Sequence, residues 1–321
     1  MRVFALLIFF SLFHPLIAQE STSSEENGSM DSFNEINLSI DQYTDGTLTL
    51  PPDTLNVPLV IFIQGSGPTN RDGNQPMMKN DGVMKISREL AQEGIASFRF
   101  DKRIFKMEKL RIREQDLRFE HFAEDVRNII KYFREQENFS KIILAGHSEG
   151  SLIGILAAGE TQVDGFISLA GAGKPIDEII VAQIAKQSAS LSENAQQAFD
   201  EIKSQGSTTN YSPYLESIFR PSVQPYMASW MKYDPAVELA KLDIPVLIVN
   251  GSFDLQVDVE DAKILKEAKP AAQLVILDQM NHIFRKIEGE SLENTKAYNE
   301  PARPLHPELL PAIVGFIQAI E

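Results

Sequence analysis

Six short runs of the chain are apolar at nearly every position: VPLVIFIQG (57–65), GIASFRFD (94–101), KIILAG (141–146), GFISLAG (165–171), IPVLIVNG (244–251) and AQLVILD (272–278). A strand with one wet face alternates apolar and polar residues, so a strand without that alternation must be covered on both faces. Six such strands call for a parallel sheet sandwiched between helices. The segments between them supply the cover: VMKISRELAQEG and HFAEDVRNIIKYFREQ repeat their apolar residues near 3.6-residue spacing, as crossover helices do. The pattern predicts an α/β doubly wound fold, a mostly parallel central sheet flanked by helices. Ahead of it, INLSIDQYTDGTLTLPP has alternating apolar positions on either side of Asp45-Gly46, which predicts a β-hairpin turning at that dipeptide.

One connection is too long for a crossover. Between GFISLAG and IPVLIVNG, residues 172–243 hold two helix-like segments, IDEIIVAQIAKQSASLSENAQQAFDEIKSQ and SPYLESIFRPSVQPYMASWMKY. An apolar insertion bearing Met and aromatic residues, at about 173–238, reads as a helical cap. Extra helices packed on the sheet edge are the alternative.

The chain begins MRVFALLIFFSLFHPLIAQ, with one basic residue, a short apolar run and small residues up to Ala18. That order predicts a secretory signal peptide over 1–18 and an exported protein, periplasmic or extracellular, with no stable membrane insertion after cleavage. The polar QESTSSEENGSMDSF predicts a flexible linker over 19–33, leaving 34–321 as the folded domain. The chain has no cysteine, so disulfides and thiolate metal sites are excluded. A formal charge of −15 argues against nucleic acid or an anionic membrane surface as partner.

Gly146-His147-Ser148-Glu149-Gly150 fits G-x-S-x-G. The pattern alone is weak, but here it follows a buried strand and opens the helical-period segment SLIGILAAG, the setting of a nucleophile elbow. Glycines there allow close backbone approach around a strained serine, whose hydroxyl projects above the sheet, while the helix N-terminus favours a developing anion. A serine that merely caps the helix is the bland alternative. A serine nucleophile requires a base. His14 lies in the predicted signal peptide, His147 sits inside the elbow, and His121 precedes Ser148 where the chain order of this architecture wants the base last. His282 and His306 remain. His282, directly after the last apolar strand, is favoured. The acid belongs after the preceding strand, where Asp254 is favoured over Asp258 to hold the imidazole tautomer. The oxyanion hole would use the backbone N–H of Glu149 and, from the turn Gln64-Gly65-Ser66-Gly67-Pro68, that of Ser66. No metal or cofactor is expected.

GTLTLP, IQGSGPTNRDG, RFDKR, GHSEGS, YDPA…IPVLIVNGSFDLQV and MNHIF together resemble the bacterial α/β-hydrolase esterases, most nearly their serine-aminopeptidase-like branch, over roughly residues 40 to 321. The resemblance implies the α/β-hydrolase fold, with a helical cap inserted before the strand that carries the catalytic acid. It also implies a serine carboxylesterase acting on small-molecule esters of small or medium acyl chains, with Ser148, Asp254 and His282 as triad and Ser66 and Glu149 at the oxyanion positions. Gly65 and Gly67 support that loop. Arg71 and Asp72 match the family pattern and read as a loop-fixing ion pair in preference to substrate contacts. Ile104-Phe105 departs from the pattern, because relatives commonly have glycine after Asp101-Lys102-Arg103.

Two rival expectations stand beside the esterase. An aminopeptidase or amidase could use the same triad, with an acidic cap residue such as Glu193, Asp200, Glu201 or Glu216 holding the substrate amine. A binding protein that kept the fold is the other.

Overall fold

The computed structural model describes residues 33–136, 138–289 and 291–320; the predicted signal peptide, and the predicted linker up to residue 32, lie outside them. Eight strands form one sheet: β1 (Asn34–Ser39), β2 (Asp45–Leu50), β3 (Val57–Ile63), β4 (Ala96–Phe100), β5 (Phe139–His147), β6 (Gly165–Leu169), β7 (Val246–Gly251) and β8 (Gln273–Leu277). Their order is β1-β2-β4-β3-β5-β6-β7-β8. β1 and β2 are antiparallel additions to a parallel run from β4 to β8. All six apolar runs are strands. β4, β6 and β7 are buried at every position, whereas β8 is the sheet edge and stays half-exposed.

The strand period of two sorts these residues onto opposite faces. Leu59, Ile61 and Ile63 of β3 join one apolar layer, and Val60 and Phe62 join the other. Burying a side chain such as Phe62 contributes about 1.5–3 kcal/mol. Helices cover both layers: α1 (Gly82–Gln92), α2 (Met107–Leu110), α3 (Phe119–Gln136), α4 (Glu149–Glu160), α5 (Ile176–Ala185), α6 (Ala189–Gln205), α7 (Glu216–Phe219), α8 (Gln224–Trp230), α9 (Pro235–Ala240), α10 (Val259–Ala268), α11 (Ser291–Ala297) and α12 (Leu309–Ala319). α3 and α4 lie on the face of Ile61, and α1 and α12 on the face of Phe62. Among the described residues, no helix is long and apolar enough to cross a membrane.

The hairpin corrects the expectation at Asp45-Gly46. The turn is residues 40–44, and Asp45 and Gly46 already belong to β2, paired with Ser39 and Leu38. Asp41 makes the turn by accepting from Tyr43 N, Thr44 N and Thr44 Oγ1 at 2.8–2.9 Å. Gly46 serves a different purpose: a Cβ there would sit 2.2 Å from the Phe98 ring of β4.

The long insertion holds α5 to α9. α5 and α6 form a helical hairpin broken at Ser188, whose hydroxyl caps α6 by accepting from Leu191 N. α8 packs on the start of α3, with Trp230 stacked on Phe119 at 5.0 Å between ring centroids. Ile176, Ile179 and Ile180 of α5 and Trp230 of α8 line the same cavity as Ser148.

Candidate active site

β5 ends at His147 and α4 begins at Glu149, leaving Ser148 alone on the turn with φ 55° and ψ −122°. A non-glycine residue in that region stores about 1–3 kcal/mol, and the surroundings must over-determine it. Here Ser148 N donates to Leu169 O and Ser148 O accepts from Ser151 N, both at 2.9 Å. Ser148 occupies the N-cap position of α4, yet its hydroxyl makes no capping hydrogen bond. The flanking glycines are required by approach distance. A Cβ on Gly146 would lie 2.2 Å from Gly150 O, and one on Gly150 would lie 2.2 Å from Ile63 O. Because Gly150 abuts backbone, Gly150→Ala should destabilise the fold by about 3 kcal/mol or more, since no side chain can give way. Thermal unfolding checks this, and an unchanged melting temperature would show that the elbow is looser than the distances say.

The loop after β8 presents His282, 3% exposed. Asn281 winds that loop by accepting from Ile283 N at 3.2 Å and Arg285 N at 2.9 Å. Asp254, three residues beyond β7, places Oδ2 2.7 Å from His282 Nδ1, while its Oδ1 accepts from Gln256 N and Val257 N at 2.8 and 3.0 Å. The carboxylate is thus pinned on one oxygen and offers the other to the imidazole. Ser148 and His282 line one polar cavity together with Gly65 and Ser66. The competitors are occupied elsewhere. Asp258 caps α10 through Glu260 N at 3.1 Å. His306 donates from Nε2 to Asp278 O at 2.9 Å and accepts Glu308 N at Nδ1.

His147 has a place that its position inside the elbow did not reveal. Its Nε2 lies 2.9 Å from His282 O, and a carbonyl only accepts, so Nε2 carries the proton. Burial first, and then the neighbouring His282, push its pKa down to about 3, so the ring stays neutral although one edge remains partly accessible. It packs 4.7 Å from the His282 ring and steadies the loop that carries it.

The turn after β3 comes against the elbow from the other side. A Cβ on Gly65 would lie 3.2 Å from Ser148 Cβ, and Gly67 turns the chain with φ 72°. Ser66 and Glu149 line a second, mostly apolar cavity with Ser148. Ser66 O is held by Thr69 Oγ1 at 2.8 Å and Gln75 Nε2 at 3.1 Å. Arg71 and Asp72 do not pair with each other, which corrects the expectation. Arg71 takes Asp101 bidentately, with Nε–Oδ2 at 2.9 Å and backbone N–Oδ1 at 2.7 Å, and Asp72 takes Arg99 Nε at 2.8 Å. Neighbouring residues on this turn reach different partners, and both partners belong to β4 or its end. These two ion pairs fix the loop to that strand, in addition to the bonds it makes within itself.

The RFDKR block also hides Lys102, a fully buried cation beside the site. Its ammonium donates to Gly65 O and lies 3.9 Å from Glu149 Oε1. Tyr226 of α8 donates to the same oxygen at 2.8 Å. Burial pushes the Lys102 pKa down and the Glu149 pKa up, with each charge opposing the other's shift. Ile104 lines a small apolar cavity beside this group, with Tyr226 and Phe122. None of the cap acids Glu193, Asp200, Glu201 or Glu216 lines the cavities that hold Ser148.

A chain of this architecture has known relatives. It is similar to esterase EstD of Thermotoga maritima, 26% identical over 275 residues, covering 81% of this chain and 62% of that protein. The chain therefore spans less than two thirds of that relative's length. Among solved structures it is similar to Est1E from Butyrivibrio proteoclasticus (TM-score 0.53, 18% identity, 83% of this chain and 96% of that one). It also matches a puromycin-hydrolyzing peptidase of Mycobacterium tuberculosis (TM-score 0.56, 14% identity, 92% of this chain and 41% of that one). At such identities these structures establish the α/β-hydrolase fold. The family model described as serine aminopeptidase, S33, matches residues 81–285, which include the elbow, Asp254 and His282, and the chain belongs to that family.

Proposed function

We propose that this protein is a serine hydrolase that cleaves carboxylic esters with short acyl chains through an acyl-enzyme. The observation that carries the reading is the Asp254–His282 hydrogen bond of 2.7 Å beside the cavity that His282 shares with the strained, uncapped Ser148. Ser148 Oγ attacks the acyl carbon while His282 Nε2 takes its proton, and Asp254 stabilises the imidazolium through Nδ1–H. The oxyanion is held by the amides of Ser66 and Glu149. Collapse breaks the C–O bond to the alcohol, which leaves with the proton from His282. Water, deprotonated by the same imidazole, then releases the acid and restores Ser148.

The apolar cavity beside Ser148, lined by Leu152, Ile179, Ile180, Trp230 and Val257, suits the acyl chain, and its free space is about 70 Å³. That is room for a few carbons. The polar cavity on the His282 side, with Thr69, Gln75 and Tyr298, suits the leaving alcohol. Ester hydrolysis is favoured over aminopeptidase action because, among the described residues, the only carboxylate lining the two cavities that hold Ser148 is Glu149, which is already engaged by Lys102 and Tyr226.

A panel of nitrophenyl esters and aminoacyl anilides tests this. Acetate to butyrate esters should exceed the decanoate in kcat/KM by about tenfold or more, as one or two misfitting methylenes cost 1–3 kcal/mol. Anilides should be poorer still. A panel led by an aminoacyl anilide would replace the esterase with a peptidase.

A further inference from the structure

Lys102 has no role in the proton transfers above, yet it is a lysine with a side chain 3% exposed at the base of the site. Burying an ammonium is costly unless its donors and charge are answered. Its answers are specific. Nζ donates to Gly65 O, Glu149 Oε1 lies 3.9 Å away, and the Phe122 ring centroid lies at 5.7 Å.

The carbonyl of Gly65 and the N–H of Ser66 belong to one planar peptide unit and share its resonance. A cation on the oxygen favours the charge-separated form, which leaves the N–H more positive and a stronger donor. The same bond blocks rotation of the peptide, since turning the N–H away from the cavity would pull the oxygen off Nζ. Across the site, Glu149 supplies the second oxyanion amide from its backbone and the counterion of Lys102 from its side chain. Tyr226, on the cap helix α8, donates to that carboxylate at 2.8 Å. Four segments remote in sequence therefore meet in one buried network that holds the Gly65–Ser66 peptide and the Glu149 side chain.

We infer that Lys102 is a positioning residue for the oxyanion hole: it orients and polarises the Gly65–Ser66 peptide, and the Glu149–Tyr226 hydrogen bond ties the cap to that arrangement. This rests on the hydrolase reading proposed above. Lys102 lines neither of the cavities that hold Ser148, so its effect belongs to the transition state, where the oxyanion forms, and not to substrate binding.

Two variants test it. Lys102→Met keeps the stem and removes the donor. Lys102→Met combined with Glu149→Gln also removes the carboxylate left uncompensated, so that folding does not decide the outcome. In both, phosphonylation of Ser148 by a fluorophosphonate should slow by about 10- to 100-fold, a weakened donor costing somewhat less than the 10²–10³ of a deleted one. kcat for nitrophenyl acetate should fall in parallel with KM within about twofold. Labelling of the folded double variant at the wild-type rate, or a loss confined to KM, overturns the inference alone. So does a double variant that does not fold, which makes the role of Lys102 structural. A wild type that the fluorophosphonate does not label overturns the hydrolase reading and this inference with it.

Discussion

Ser148→Ala leaves a folded protein in which ester hydrolysis falls about 10⁶-fold, the scale seen when a triad nucleophile is removed from a serine hydrolase. The fold should tolerate the change because the hydroxyl makes no capping hydrogen bond to α4, and the backbone bonds of Ser148 to Leu169 and Ser151 do not involve it. Alanine keeps the Cβ that faces Gly65, where a Cβ added to the glycine would come within 3.2 Å of it. Initial rates on nitrophenyl acetate, with a melting curve beside them, make the check. A folded variant that keeps even a hundredth of the wild-type rate would remove Ser148 from the chemistry.

Asp254→Asn should lower kcat about 10⁴-fold with little change in stability. The direction follows from how the carboxylate is held. Oδ1 already accepts two backbone N–H groups, from Gln256 and Val257, and an asparagine keeps those bonds only by placing its amide oxygen there. Its NH₂ then faces His282 Nδ1, which must accept, so the proton moves to Nε2. An imidazole protonated at Nε2 cannot take the proton of Ser148. Fluorophosphonate labelling should slow in step with kcat, because both reactions require Ser148 to be activated. A loss of less than about tenfold would mean that the tautomer is set elsewhere, and the His147 bond to His282 O would be the first place to look.

Much of this architecture is legible in the linear chain because its signals are local. Short apolar runs without alternation, set between helical-period segments, read as strands of a covered sheet, and all six are strands. β8 shows the limit of that logic, since an edge strand carries the same pattern while staying half-exposed. The elbow is equally local: a strand, one serine between glycines, and a helix. The hairpin formed, but its turn lies at residues 40–44 and is made by Asp41; Gly46 is glycine for a non-local reason, to admit the Phe98 ring. Arg71 and Asp72 invited pairing by adjacency, but each reaches across to Asp101 or Arg99.

By itself, then, the order of residues determined the layered sheet, the position of the elbow, and a choice between two candidate acids and two candidate bases, because hydrophobic period and turn chemistry act within a few residues. The tertiary structure decided which candidates meet: Asp258 and His306 are consumed by a helix cap and a backbone carbonyl, leaving Asp254 and His282 together. It also decided the surroundings of that pair, where His147, Lys102, Glu149 and Tyr226 are assembled from β5, the end of β4, the start of α4 and the cap. Hydrogen bonds and charge compensation in a buried site depend on distances of a few ångström between groups remote along the chain, and only packing sets those distances.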